Sequence, residues 1–248
     1  MSETALSLAS VTKNFGGVRA VNNVSLQVEL GERRVIIGPN GAGKTSLFHC
    51  ISGAIQPTSG FIQCFGQDIT YLSEPDRTQS GVGRTFQISS VFTELTVIEN
   101  IALAILGIRK KKWNMWSSIN DVADLRDKAN AQLALVGLPG KEDVTVKSLS
   151  YGERRQLELV LALVNGPRLL LLDEPCAGLS PAERQRLFSI IQKLPRSITM
   201  LMIEHDMDIA LGLADRVSVL HQGEMIMEGS AQEAQMHPQV REVYFGKV

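Results

Sequence analysis

The stretch Val35-Ile36-Ile37 followed by Gly38-Pro39-Asn40-Gly41-Ala42-Gly43-Lys44-Thr45 restricts the fold more than any other part of the chain. A short apolar run that stops at a glycine reads as a strand buried in a parallel sheet. Helix signals begin at Gly43-Lys44, continue through Leu47, Phe48 and Ile51, and stop at Gly53. Strand, glycine-rich turn and helix in that order fit G-x-x-x-x-G-K-[ST] without exception. The glycines let backbone N–H groups close around phosphate oxygens, and the helix N-terminus adds partial positive charge. Lys44 brings a full charge to the β- and γ-phosphates of a nucleoside triphosphate, and the Thr45 hydroxyl is placed to ligate Mg²⁺. The expected phosphate-binding set is therefore Gly38, Pro39, Asn40, Gly41, Ala42, Gly43, Lys44, Thr45 and Ser46.

A fold that carries such a turn needs a partly parallel sheet, and the remaining pattern supplies one. Strand-like alternation marks Leu6 to Val11 and Val24 to Leu30, and Phe61 to Gln67 reads as a further strand. Helical patterns follow at Val97 to Leu106 and at Asp121 to Val136, the latter with Val122, Leu125, Ala129, Leu133 and Val136 on one face. Gly107 to Asn120 between them shows no periodicity and reads as an insertion. Beyond a helix at Gly152 to Val164, strands at Leu169 to Leu172, Ile198 to Ile203 and Val217 to Leu220 alternate with helices after Pro181 and from Met207. A last strand is expected at Met225 to Ile226. Strands alternating with helices imply an α/β domain with a mostly parallel sheet wrapped on both sides.

Leu169-Leu170-Leu171-Leu172-Asp173-Glu174 supplies the other half of a phosphate-transfer site. Two carboxylates emerge at the C-terminal end of a buried strand, where open α/β sheets bind their ligands. Asp173 is expected to hold Mg²⁺ and Glu174 to orient or deprotonate the attacking water.

Composition removes several alternatives. The 248 residues carry 25 Lys plus Arg against 26 Asp plus Glu, a formal net charge of -1, which argues against a whole-surface nucleic-acid binder. Cys50, Cys64 and Cys176 lack any zinc spacing and are odd in number, as expected in a reducing compartment. No apolar run approaches the roughly 18 residues that span a bilayer, and the first residues lack the apolar stretch of a signal peptide. The chain reads as soluble and intracellular, with any membrane role exercised through a partner.

With these residues in hand, the chain resembles the ATP-binding subunits of ATP-binding-cassette (ABC) transporters from about Leu6 to Gly246. Leu149-Ser150-Tyr151-Gly152-Glu153 is similar to the family signature Leu-Ser-Gly-Gly-Gln, with Tyr151 and Glu153 as departures. Ser150 also suits the N-cap of the following helix. Gln87, within Gly83-Arg84-Thr85-Phe86-Gln87, matches the glutamine that links nucleotide state to a helical subdomain. Gly178-Leu179-Ser180-Pro181 resembles the loop that meets the opposite subunit, His205 the switch histidine, and Phe15 the aromatic ring stacked on adenine.

The resemblance implies a P-loop NTPase (RecA-like) core, an N-terminal antiparallel β-subdomain, and a helical subdomain inserted at about 88–165 of a 6–246 domain. It implies ATP and Mg²⁺ as ligands. Glu174, His205 and Gln87 are then the catalytic set, and Thr45, Gln87 and Asp173 the metal set. Ser150 and Gly152 contact the γ-phosphate on a second ATPase subunit, identical or not. Tyr151 must then turn its ring away, and Arg154 and Arg155 are expected to offset the charge of Glu153. The implied partners are transmembrane permease subunits and, indirectly, a solute-binding protein, with the chain on the cytoplasmic face of the inner membrane and no nucleic acid.

Within the family, Phe15 to Val21, Gly83 to Gln87, Ile203 to Met207 and Pro238 to Gly246 resemble the branched-chain amino acid importers. Related importers of urea and short amides share these features, and the lipopolysaccharide-export ATPase is an alternative. A soluble ABC ATPase is a second alternative, but tandem cassettes or long coiled-coil insertions are absent. A binding-only module is disfavoured by Glu174. Arg109 to Trp116 mixes cations with aromatic rings and reads as a solvated loop or a lipid-facing segment.

Overall fold

The computed structural model describes residues 3–85, 91–108, 119–205 and 207–245. They form two compact units. The first comprises residues 1–82, 168–174 and 195–248, and the second residues 83–167 and 175–194.

In the first unit, β1 (Thr4–Phe15) and β2 (Val18–Glu29) make an antiparallel hairpin, with Phe15 opposite Val18 at its tip. Its alternating residues Leu6, Leu8, Val24, Leu26 and Val28 face the core, as their period of two requires. Next come β3 (Arg33–Ile37) and α1 (Lys44–Ser52). The expected strand Phe61 to Gln67 is in fact two, β4 (Ser59–Cys64) and β5 (Gln67–Asp68). Phe65 at φ 50 and Gly66 at φ 77 turn the chain between them, and a left-handed pair cannot continue a strand. A short helix, α2 (Glu74–Gln79), follows with Ser73 as its cap. Its fully buried Arg77 donates to the carbonyls of Cys50 and Ile51 (2.6 Å each), so a cation satisfies the C-terminal end of α1.

Strand β6 (Val82–Arg84) takes the chain into the second unit, where α3 (Val97–Ile108), α4 (Ile119–Leu135), a 3-10 turn at Val146–Ser148 and α5 (Tyr151–Leu163) form a helical layer. The expected insertion is shorter than read, because α3 runs through Gly107 and α4 begins at Ile119. Residues 109–118, including Trp113 and Trp116, lie outside the described ones. Of the apolar face expected on α4, Ala129 and Leu133 are buried together with Val136 just beyond its end, and the side chains of Val122 and Leu125 lie outside the described ones.

The chain then returns through β7 (Leu169–Asp173) to the first unit, and α6 (Pro181–Lys193) belongs to the second. The remaining elements are β8 (Thr199–Ile203), α7 (Met207–Leu213), β9 (Arg216–His221), β10 (Glu224–Gly229), α8 (Ala231–Met236) and α9 (Pro238–Phe245). The main sheet runs β10-β9-β3-β8-β7-β6, and β2-β1-β4-β5 form a separate antiparallel sheet. All residues of β3, β7 and β8 are buried, as continuous apolar runs predict for central parallel strands. No helix among the described residues is long and apolar enough to cross a membrane.

Burial also governs the thiols. All three cysteines are buried, and burial pushes the Cys50 thiol up to about 11 and that of Cys64 to about 12. Both therefore stay protonated at neutral pH. Iodoacetamide at pH 8 is expected to leave Cys50 and Cys64 unmodified in the native protein and to label both in denaturant. Peptide mass spectrometry checks this, and fast native labelling of either would contradict the packing.

Candidate active site

Strand register brings the chemistry together. β3 and β7 both pair in parallel with β8, so Ile36, Ile203 and Asp173 stand level across three neighbouring strands. One residue on, Glu174 N–H donates to the Ile203 carbonyl (3.0 Å) and Glu204 N–H to that of Ile36 (3.2 Å). The loop from Gly38, the acidic pair and His205 therefore leave the sheet at one C-terminal edge, where such sheets bind ligands.

The loop is shaped by close backbone approach. Gly43 is at φ +99, and a Cβ there would fall onto the Ala20 carbonyl oxygen, so only glycine fits. Gly223 N–H donates to the Ala42 carbonyl (2.9 Å), and Asn22 N–H donates to that of Gly223 (2.8 Å). These bonds tie the loop to β2 and to the β9–β10 turn. Phe15, at the tip of the β1–β2 hairpin, keeps 49% of its surface exposed, with Lys13 Nζ 5.1 Å from its ring centroid. An open π-face of this kind suits stacking.

Lys44 is 5% exposed, and its ammonium donates to the carbonyls of Gly38 (2.6 Å) and Pro39 (3.1 Å). Burial pulls its pKa below the usual lysine value, while the charges of Glu174 and Asp173 oppose that shift. The lysine thus lies within the field of both carboxylates. Asp173 remains in the core at 1% exposure. Glu174 adopts φ 46, a left-handed conformation that costs a non-glycine residue about 1–3 kcal/mol and turns the chain out of the sheet. Its Oε2 lies 3.8 Å from His205 Nδ1, and the histidine side chain is 56% exposed. Lys44, Asp173, Glu174 and His205 accordingly occupy one site in one unit. Gln87 lies outside the described residues.

Ser150 and Gly152 belong to the second unit. Ser150 caps α5 reciprocally: Glu153 N–H donates to Ser150 Oγ (3.2 Å), and Ser150 N–H donates to Glu153 Oε2 (2.9 Å). Glu153 is thus the third residue of a capping box. The Ser150 N–H, foremost, holds its carboxyl below the usual glutamate range, and Lys141 adds to the effect from 3.1 Å. This corrects the expectation that Arg154 and Arg155 offset that charge. Arg154 donates to the carbonyls of Leu149 and Lys147, and Arg155 pairs with Glu158 at 2.9 Å. The Tyr151 ring is turned onto Gly178: its hydroxyl donates to the Ala177 carbonyl (3.3 Å) and accepts from Arg155 Nη2 (2.9 Å). Ser180, in the segment Gly178 to Pro181, is the N-cap of α6 in a second capping box, with Pro181 in its first turn. Sequence reasoning missed this box, although Ser180 and Glu183 show the S-x-x-E spacing.

The donor chemistry fits Mg²⁺, a hard ion that combines one or two protein oxygens with waters and phosphate oxygens. The Thr45 hydroxyl and the Asp173 carboxylate are such donors. Among the described residues no group of three or more His, Cys, Asp or Glu could hold a metal unaided.

The family model for ABC transporters matches residues 21–177. The chain is 36% identical to the high-affinity branched-chain amino acid transport ATP-binding protein LivG of Escherichia coli K12, over 100% of both chains. The ATP-binding cassette MJ1267 of an ABC transporter, in its ADP conformation, superposes with a TM-score of 0.86 at 30% identity, covering 98% of this chain and 99% of that one. A dimeric post-hydrolysis state of the cassette MJ0796, bound to ADP and Pi, matches with a TM-score of 0.77 at 25% identity over 91% and 98%. A glycine-rich turn, an acidic pair and a histidine at one sheet edge, within a chain similar to LivG over the full length of both, place it: the chain belongs to the ABC transporter family, among its ATP-binding, ATP-hydrolysing subunits.

Proposed function

We propose that the chain powers an importer of branched-chain or related hydrophobic amino acids. The observation that carries the ATPase is the convergence of Lys44, Asp173, Glu174 and His205 at one C-terminal sheet edge. Similarity to LivG over the full length of both chains supports the importer branch over lipopolysaccharide export or a soluble ATPase. It also favours branched-chain amino acids over urea.

In this reading Phe15 stacks on adenine and the loop Gly38 to Ser46 wraps the phosphates. Thr45, Asp173 and Gln87 hold Mg²⁺, which when bound neutralises charge on the β- and γ-phosphates. Glu174 takes a proton from the attacking water, and His205 beside it contacts the γ-phosphate. We read the second unit as the helical subdomain that docks on permease subunits, with the chain peripheral on the cytoplasmic face. A solute-binding protein acts on the permease and never touches this chain.

The reading further pairs two ATPase subunits head to tail, so that Ser150 and Gly152 of one chain meet the γ-phosphate held by the other; that the MJ0796 cassette is dimeric supports the pairing. Ser150→Arg puts a long side chain where that phosphate must approach. ATP-driven association and turnover are expected to vanish, while the isolated chain binds ADP as before through Lys44 and Phe15. Calorimetric titration with ADP and an ATPase assay check this. Retained turnover would remove Ser150 from the site, and loss of ADP binding as well would indicate misfolding.

A further inference from the structure

One carboxylate serves two helix ends in the second unit. Glu183, in the first turn of α6, accepts through Oε2 from the Ser180 N–H (3.1 Å) and the Ser180 hydroxyl (2.6 Å). Its other oxygen is turned to α5. A Cβ on Gly152 would lie 2.5 Å from Glu183 Oε1 and 2.9 Å from its Cδ, so the carboxylate fills the place where a side chain would stand. The Gly152 N–H acts on the same carboxylate and favours its charged form. The Ser180 hydroxyl first, then the Ser180 and Gly152 N–H groups, hold the carboxyl below the usual glutamate range, so it is charged at neutral pH. The positive ends of α5 and α6 thus converge on one negative group.

We propose that Glu183 is an internal anion that occupies the signature helix and must release Gly152 before the γ-phosphate of a nucleotide on the partner chain can take that donor. This rests on the trans role given above to Ser150 and Gly152. The cleft at the start of α5 is lined by Ser150, Gly152, Glu153, Gln156, Glu183 and Arg186, so the Glu183 carboxylate is part of the wall that an incoming phosphate would meet. A carboxylate left in place would also repel the incoming phosphate. Release needs only a small rotation, because Oε2 keeps its bonds to Ser180. Arg186, three residues along α6, already acts on Glu183 by its charge and can pair with it after release. Glu183 is a positioning residue that sets how much ATP closure requires.

The test uses the assembled transporter, with ATPase rate measured against ATP concentration. Glu183→Gln keeps an oxygen to accept from Ser180 and removes the charge. Half-saturation is expected to fall by about threefold, the scale of one exposed charge contact, with kcat within about twofold. Glu183→Asp draws the carboxylate back from Gly152 and is expected to shift half-saturation the same way by less. A purely structural cap would give the opposite pattern, with half-saturation raised or kcat lowered and a reduced melting temperature in both variants. That pattern, or an unchanged half-saturation, would overturn the proposal if Ser150→Arg is inactive in the same assay. An active Ser150→Arg would instead bring down the trans reading on which the proposal stands.

Discussion

Glu174→Gln is expected to hydrolyse ATP about a hundred- to ten-thousandfold more slowly than the unchanged chain, the usual contribution of a general base. Its geometry gives the reason. Glu174 is the first residue beyond β7, pushed out of the sheet by its left-handed backbone while Asp173 stays buried. The substitution keeps size and hydrogen bonding but removes the carboxylate that accepts the proton in the proposed mechanism. ATP binding should persist, because Lys44, Thr45 and Asp173 are untouched. Loss of a negative charge beside the triphosphate also eases repulsion in the closed pair, so a stable dimer is expected on size-exclusion chromatography with ATP and Mg²⁺. Asp173→Asn is the contrast, since it disturbs the metal set. Hydrolysis by Glu174→Gln at the unmodified rate would show that another group is the base.

Lys44→Ala is expected to abolish turnover and to weaken ATP binding by about tenfold or more. A charge-assisted hydrogen bond is worth about 1.5–3 kcal/mol, and each 1.4 kcal/mol is a factor of ten. The structure adds a second source of loss. The Lys44 ammonium bonds the carbonyls of Gly38 and Pro39, so alanine also removes the tie that shapes the loop around it. Lys44→Arg restores the charge but not the fit, because a planar guanidinium does not replace a compact ammonium at a buried site. Fluorescence titration with an ATP analogue and a phosphate-release assay check both effects. Normal turnover by Lys44→Ala would refute the assignment of this loop.

Local sequence carried much of this site because buried strands and their turns announce themselves. Leu169 to Leu172 could only be a central strand, and the two acids after it had to emerge where the sheet ends. Register was not legible. That Ile36, Ile203 and Asp173 stand level depends on β8 lying between β3 and β7, a strand order no local pattern encodes. The turn at Phe65-Gly66 escaped because phenylalanine seldom adopts φ 50, and the run from Phe61 looked continuous. Helix α2 was missed although Ser73, Pro75 and Asp76 are start signals, since six residues give too little periodicity to detect.

The two capping boxes carry the sharper lesson. Ser150 with Glu153 and Ser180 with Glu183 share one spacing, and that spacing makes Glu153 the third residue of a capping box. Taken as a departure from a motif, Glu153 looked like an unwanted charge that nearby arginines had to offset. The Ser150 N–H foremost, with Lys141 beside it, does that instead. Tyr151 likewise has its reason in Ala177 and Gly178, which only the folded chain brings beside it.

In the proposed function, ATP hydrolysis at this site drives solute movement. The direct measurement is uptake of radiolabelled leucine, isoleucine or valine into proteoliposomes that contain the chain assembled with its permease subunits and solute-binding protein. ATP and Mg²⁺ are supplied on the side of the ATPase subunits. Uptake is expected with ATP, to be absent with ADP, and to fall with Glu174→Gln by at least the factor lost in hydrolysis. Uptake that needs no ATP, or that Glu174→Gln sustains at the unmodified rate, would contradict it.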